Sequence, residues 1–283
     1  MFDADQYQLL DFGAGRKLER FGAYTLDRAC PAAEDTRKAA TAEWKKADAR
    51  YERTLGDEGR WKPATALPSA WTLAHGDFAV QLQPTPFGHL GVFPEQAENW
   101  DWIVRQVARA SRRLRVLNLF AYTGGSTLAA AAAGAEVVHV DSAKNTVAWA
   151  RRNAELSGLN IKPIRWITED AKRFAERELK RGNRYDAVIL DPPSYGHGPK
   201  GETWKITRDL HSLLTTCAEL TDGQRAFMLL TCHSPGFEPP EVEAILADAV
   251  FGTCQAGATA KPLTLTCIDG RQLPSGVVAR WPC

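Results

Sequence analysis

In VILDPPSYGHG, residues 188–198, an apolar run meets an acid, two prolines, a serine and a tyrosine. Proline lacks the N–H that a strand ladder needs, so a strand over 185–190 must stop at Asp191. The rigid turn that follows offers a carboxylate and an aromatic ring at the strand's C-terminal end, where open α/β sheets bind their ligands. Two more acids take equivalent places: Asp141 after EVVHV (136–140) and Asp170 after IRWIT (164–168). The segment NLFAYTGGST (118–127) follows the first apolar run and carries the adjacent pair Gly124 and Gly125. The pair is not G-x-G-x-x-G, and no Gly-Lys-Ser/Thr follows, so neither a dinucleotide fingerprint nor a P-loop is present.

Those residues need a scaffold, and the alternation of patterns supplies one. LRVLNLF (114–120), EVVHV, IRWIT, YDAVIL (185–190) and RAFMLLT (225–231) read as strands with helical stretches between them. Ser142 suits an N-cap and Gly158 a C′ stop for the helix over 142–158, and Pro240 opens another helix. Strand–helix alternation predicts an α/β fold: a doubly wound, mostly parallel sheet covered on both faces. PLTLTCI and GVVARW flank DGRQLPS with no helix between them, which requires an antiparallel C-terminal hairpin and brings the sheet to seven strands. Residues 1–92 read as a small α+β module, with strands turning at Gly22, a charged helix over 36–54 and further strands over 70–93. Residues 93–283 read as the larger, doubly wound domain, entered through a linking helix over 93–113.

An acid after the second strand can accept both hydroxyls of a ribose, and Asp170 can accept from an adenine amino group. Three acids around a glycine turn suit a nucleoside that carries cationic groups in place of phosphates, and S-adenosylmethionine fits that description. VLNLFAYTGGST, VVHVDSAKNTVAWARRNAELSGL, DAVILDPPSYGHGPKGETWK and GHLGVFPEQAENW together resemble the class I S-adenosylmethionine-dependent methyltransferases. Within them the chain is similar to the bacterial group that includes the 23S rRNA cytosine-C5 methyltransferases. The resemblance covers roughly 90–283, and 7–30 loosely. It implies a Rossmann-like methyltransferase sheet and ribosomal RNA as partner. It also implies cofactor contacts from Asn118, Phe120, Ala121, Tyr122, Thr123, Gly124, Gly125 and Ser126, from Asp141 and Ser142, from Asp170, Ala171 and Asp191, and from Gln96 near the methionine portion. Asn118 stands where the wider superfamily has an acid.

Two acceptor chemistries remain open. DPPSY resembles the motif of enzymes that methylate base amino nitrogens, in which Asp191 and the Pro192 carbonyl accept the amino hydrogens and Tyr195 stacks on the ring. Cytosine C5 would instead need a thiolate adding at C6, and Cys232 in LLTCHSPGF is placed for that, with His233 able to lower its pKa or act as a base. Against these stand plain readings: Tyr195 as a packing aromatic, Cys232 as an inert core residue, the three acids as helix caps. Lys200, Lys205 and Arg208 could meet phosphate. Trp100, Trp102 and Trp204 are expected in the core. The competing functions are methylation of a protein or small molecule, a non-catalytic RNA-binding factor, and a nucleotide-dependent oxidoreductase.

Composition sets the outer bounds. The 283 residues carry a net charge of +1, which argues against bulk non-specific nucleic-acid binding. The N-terminus has no signal-peptide pattern, and the greasiest run, 127–140, is too short and too polar for a membrane span. The six cysteines show no C-x-x-C pair and no zinc spacing. A soluble, cytoplasmic, metal-free enzyme is expected.

Overall fold

The computed structural model describes residues 1–54, 58–63, 66–253 and 257–282. The chain divides into two compact units, one of 1–98 with 264–275, the other of 99–263 with 276–283.

The first unit is built on a five-stranded sheet in the order β1-β2-β3-β4-β5, with β1 at Tyr7–Gly13, β2 at Arg16–Phe21, β3 at Tyr24–Ala29, β4 at Ala49–Arg53 and β5 at Gly59–Lys62. β6 (Trp71–His75) and β7 (Phe78–Leu82) form a separate hairpin that turns at Gly76. Gly22 makes the β2–β3 turn with φ +60°, as expected. The charged helix expected over 36–54 does not form. Only the single turn α1 (Thr41–Trp44) is helical, and Ala49–Arg53 is a strand. The reason is Asp11, a buried carboxylate that takes the backbone N–H groups of Ala39 and Ala40 at 3.2 and 2.9 Å and the Trp44 indole N–H at 2.7 Å. Those donors hold the segment in an irregular path. β4, whose Ala49 and Tyr51 are buried on one face, then pairs parallel to β3 and antiparallel to β5. Among its described residues the unit is a β module with one short α-helical turn and two 3-10 turns rather than α+β. Lys38 lies over the Trp44 ring at 3.5 Å, so it is not part of a solvated helix face.

The second unit carries the doubly wound sheet. After α2 (Ala97–Arg109) come β8 (Arg115–Leu119), α3 (Gly125–Ala132), β9 (Glu136–Asp141), α4 (Lys144–Leu156), β10 (Ile164–Thr168), α5 (Ala171–Lys180) and β11 (Ala187–Leu190). The short hairpin of β12 (Tyr195–His197) and β13 (Thr203–Lys205) follows, then α6 (Ile206–Leu220), β14 (Phe227–Cys232), α7 (Pro239–Phe251), β15 (Thr259–Thr266) and β16 (Gln272–Trp281). The sheet order is β10-β9-β8-β11-β14-β16-β15, parallel from β10 to β14, with β16 antiparallel to β14. This is the seven-stranded sheet with a reversed C-terminal hairpin that the sequence asked for.

β11 and β14 are buried at every residue, the signature of a sheet covered on both faces. One face is filled by Leu117, Leu119, Val138, Val140, Val188, Leu190, Met228 and Leu230 against α5, α6 and α7. On the other, the fully buried run Ala129–Ala131 lets α3 lie close to β8 and β9, and Trp102 meets Phe227 edge-on at 5.4 Å. Trp100, Trp102 and Trp204 are all buried, as expected. Among the described residues, no helix is long and apolar enough to cross a membrane.

Candidate active site

The strand order reverses between β8 and β11, and such a switch point opens a crevice beyond the carboxyl ends of the parallel strands. The register aligns Leu119 with Val140 and Leu190, and Leu190 with Leu230. Phe120, Asp141, Asp191 and Thr231 therefore leave the sheet side by side, and Asp170 follows β10, where Thr168 pairs with Asp141.

The loop from β8 to α3 is tightly folded. Phe120 and Tyr122 have φ of +54° and +49°, which side chains other than glycine rarely adopt, and Gly124 has φ +93°. Several contacts hold that path. The Tyr122 N–H donates to Asp141 Oδ2 at 2.9 Å, the Phe120 ring meets Trp204 at 4.9 Å, and Asn153 Nδ2 donates to the Thr123 carbonyl at 2.9 Å. The Ala121 N–H returns to the Val140 carbonyl at 3.0 Å. A Cβ on Gly125 would stand 2.4 Å from the Trp100 ring, so the start of α3 approaches α2 as only glycine permits. Ser126 is half-buried on the first turn of α3.

Asn118 is buried and turned inward. Its amide donates to Thr127 Oγ1 at 2.9 Å, and that hydroxyl meets His139 Nδ1 at 2.9 Å. The arrangement ties β8, α3 and β9 together behind the loop. Burial depresses the His139 imidazole to about 3, so it is neutral.

Asp141 accepts from Tyr122 N and, through Oδ1, from Ala143 N at 2.9 Å. Burial pushes its carboxyl up, and the two backbone donors work against that shift. An ionised carboxylate has about four lone-pair sites, so two filled by backbone leave capacity for a pair of hydroxyls. Ser142 does not cap α4. The N-cap is Ala143, which has no side-chain cap bond and whose own N–H donates to Asp141, while Gly158 at φ +66° sits just beyond the helix as expected. Asp170 caps α5 by accepting from Arg173 N at 2.9 Å, with Ala171 buried as the first helical residue. Gln96 is buried in the 3-10 turn Pro94–Gln96 of the first unit.

At the end of β11, Asp191 Oδ1 accepts the Thr231 hydroxyl and lies 3.2 Å from His233 Nε2. Pro192 is buried, and the Pro193 carbonyl accepts the Trp204 indole N–H at 2.7 Å. Ser194 and Ser234 share a hydrogen bond of 2.6 Å between their hydroxyls. Tyr195 is 53% exposed and meets His197 edge-on at 5.0 Å, so it is not a core aromatic. Cys232 is 1% exposed and packs in the core, where burial, with Asp191 adding to it, pushes the thiol up to about 12. Arg208 is taken up by Asp209 and the Thr203 carbonyl, whereas the Lys200 and Lys205 side chains stay exposed. Cys30, Cys217 and Cys267 are also free and buried, while Cys254 and Cys283 lie outside the described residues.

Trp204 and Thr231 carry more of the site than the sequence revealed. A tryptophan in a polar loop eleven residues past a proline turn, and a threonine closing an otherwise apolar strand, were the available signals. The donor set fits S-adenosylmethionine: carboxylates at the ends of β9, β10 and β11 surround a glycine turn that has no phosphate-binding lysine.

Known proteins agree with that fit. A family model described as S-adenosylmethionine-dependent methyltransferase matches residues 56–242. The ribosomal RNA large subunit methyltransferase I of Aeromonas salmonicida is 38% identical over 181 residues, 63% of this chain and 43% of that protein. The ribosomal RNA large subunit methyltransferase K of Neisseria meningitidis is 32% identical over 123 residues, 42% of this chain and 35% of that protein. The matched stretch is thus less than half the length of these curated relatives. The crystal structure of the SAM-dependent methyltransferase from Agrobacterium tumefaciens superposes with a TM-score of 0.93 at 36% identity, covering 100% of this chain and 92% of that one. The chain belongs to the S-adenosylmethionine-dependent methyltransferases.

Proposed function

We propose that this methyltransferase acts on a nucleobase of ribosomal RNA in the cytoplasm, and that the acceptor is an exocyclic amino nitrogen. When bound, S-adenosylmethionine supplies an electrophilic methyl on a sulfonium. Asp141 would receive the ribose hydroxyls and Asp170 the adenine amino group, while the loop from Phe120 to Ser126, with Ser142 and Ala171, would complete the cofactor contacts within the second unit. Asp191 and the Pro192 carbonyl accept the acceptor's amino hydrogens, and Tyr195 stacks on its ring.

The observation that carries this reading is the contrast at adjacent strand ends. Tyr195 is exposed beside the Asp191 turn, while Cys232 is sealed in the core with its thiol at about 12. A C5 route needs a thiolate in contact with the base. At neutral pH a thiol at about 12 is ionised at only about one part in 10⁵. Similarity to the two ribosomal RNA large subunit methyltransferases supports RNA as the substrate class.

The test is methyl transfer from labelled S-adenosylmethionine to ribosomal subunits and to naked rRNA, followed by nucleoside mass spectrometry. An N-methylated nucleoside is expected. C5-methylcytidine, or label appearing in protein alone, would overturn the proposal.

A further inference from the structure

His233 has a seat built for it. Extended backbone alternates its side chains, so Thr231 lies on the other face of β14 from Cys232, and His233 follows directly after the strand. Both reach the same atom, Asp191 Oδ1, the hydroxyl from a fully buried threonine and the imidazole Nε2 at 3.2 Å. On β16, Val277 pairs with Cys232, which puts Gly276 next to His233. A Cβ on Gly276 would stand 2.7 Å from His233 Nδ1 and 2.6 Å from the Cys232 carbonyl, and its φ of +119° also favours glycine. The glycine thus leaves room for the ring with Nε2 turned to the carboxylate. The side chain remains 35% exposed, so a proton on it can reach water.

We propose that His233 takes over, through Asp191, the proton that the acceptor nitrogen must lose. The inference rests on the amino-nitrogen reading, in which the proton to be shed sits on the nitrogen whose hydrogens Asp191 accepts. As the nitrogen–methyl bond forms, the methyl–sulfur bond breaks and sulfur keeps its electron pair. The nitrogen then holds one proton too many. That proton moves to the Asp191 carboxylate, leaving its electron pair on nitrogen. It passes from Oδ1 to the lone pair of His233 Nε2 in the Nδ1–H tautomer, and the imidazolium releases it to water. The alternative role is fixed orientation, in which Nε2–H simply holds Asp191 in place.

Glutamine separates the two, because its amide keeps a donor near the Nε2 position and cannot take up a proton. The wild-type product is identified first. A C5-methyl product defeats the amino-nitrogen reading without involving His233, whereas an N-methyl product opens the second arm. There, His233→Gln is expected to keep the melting temperature and the calorimetric affinity for S-adenosylmethionine, with KM for RNA within about threefold and kcat down about 100-fold. The acid limb of kcat contributed by the imidazole should vanish. Among the described residues, Asp191 and the neighbouring Cys232 thiol are titratable groups beside His233, and Gly276 and Val277 of β16 carry none. His233→Ala leaves the space beside Gly276 open, so added imidazole should restore kcat at least about tenfold where acetamide does not. A glutamine variant within about threefold of wild-type kcat with its acid limb intact, or equal rescue by the two additives, would overturn the relay.

Discussion

Asp141→Asn separates cofactor binding from folding. The carboxylate accepts the Tyr122 and Ala143 N–H groups through different oxygens, both at 2.9 Å. An amide of the same shape offers one oxygen, so one of those N–H groups would face an NH₂ instead. Each bond to a charged acceptor contributes about 1.5–3 kcal/mol, and a stranded donor costs a similar amount. The bond at risk includes the one that holds Tyr122 at φ +49°, and with it the bend of the loop. The amide also leaves one ionised acceptor fewer for the ribose hydroxyls, and losing such a charge-assisted bond, about 2–3 kcal/mol, raises Kd roughly 30- to 150-fold. Folding stability should change far less. Burial already pushes the Asp141 carboxyl up, so the folded chain disfavours its charge, and a neutral amide relieves that cost while giving up a bond.

The pH dependence follows from the same shift. A carboxyl raised in the folded state lowers stability once the pH exceeds its unfolded value. Free wild-type protein should therefore gain stability relative to Asp141→Asn as the pH falls. Affinity for S-adenosylmethionine should fall with it, beginning above the ordinary carboxylate range, because the protonated acid is a poorer acceptor for ribose hydroxyls. Isothermal titration calorimetry across pH, with thermal melting of the free protein, measures both. A variant Kd within about threefold of wild type would refute the assignment of Asp141 to the ribose.

Three other outcomes are expected. Gly125→Ala drives a Cβ to 2.4 Å from the buried Trp100 ring, an overpacking of about 1–3 kcal/mol that should lower the melting temperature by several degrees. Asp11→Asn should cost about 2 kcal/mol at neutral pH: burial alone would raise that carboxyl, but bonds from Trp44, Ala40, Arg271 and Ala39 bring it from 3.8 to about 2. Because the folded value is the lower one, the wild-type advantage in denaturant unfolding should be complete above 3.8 and disappear as the pH falls through about 2. Cys232→Ala should keep kcat within about threefold, and native Cys232 should resist alkylation, since a catalytic thiolate would lose activity by orders of magnitude and react readily.

The second unit was legible because its signals are local and repeated. Apolar runs of four to six residues, each stopped by an acid, a proline or a glycine turn, give strand positions, and the absence of a helix between PLTLTCI and GVVARW gives the reversed hairpin. The first unit was less so, because a distant side chain decided it. Nothing within 36–54 shows that Asp11, over twenty residues earlier, will take the N–H groups of Ala39 and Ala40 and end any helix there. Ser142 failed as a cap for a similar reason. Asp141, fixed by the strand, holds the Ala143 N–H, and the helix starts only at Lys144 with Ala143 as its N-cap, which leaves Ser142 outside it. At the site, the residue types after each strand were readable, but their second partners were not. That Asn118 would turn inward to Thr127, or that Thr231 and His233 would converge on one oxygen of Asp191, depends on strand register and on the room left by Gly276.

The strained loop and the proline turn behave as one piece because a single side chain joins them. Trp204 donates its indole N–H to the Pro193 carbonyl and sets its ring against Phe120, one of the two residues held at positive φ. Such conformers cost about 1–3 kcal/mol each and persist only where neighbours enforce them. Here Trp204 enforces Phe120, and Asp141 enforces Tyr122. The two contacts of Trp204, with Phe120 and with the Pro193 carbonyl, tie the strand end assigned to the donor to the strand end assigned to the acceptor. An in-line displacement requires the donor and acceptor sites to keep a fixed separation. Packing rather than loop flexibility sets that separation, which makes Trp204 a structural link between the cofactor loop and the Asp191 turn.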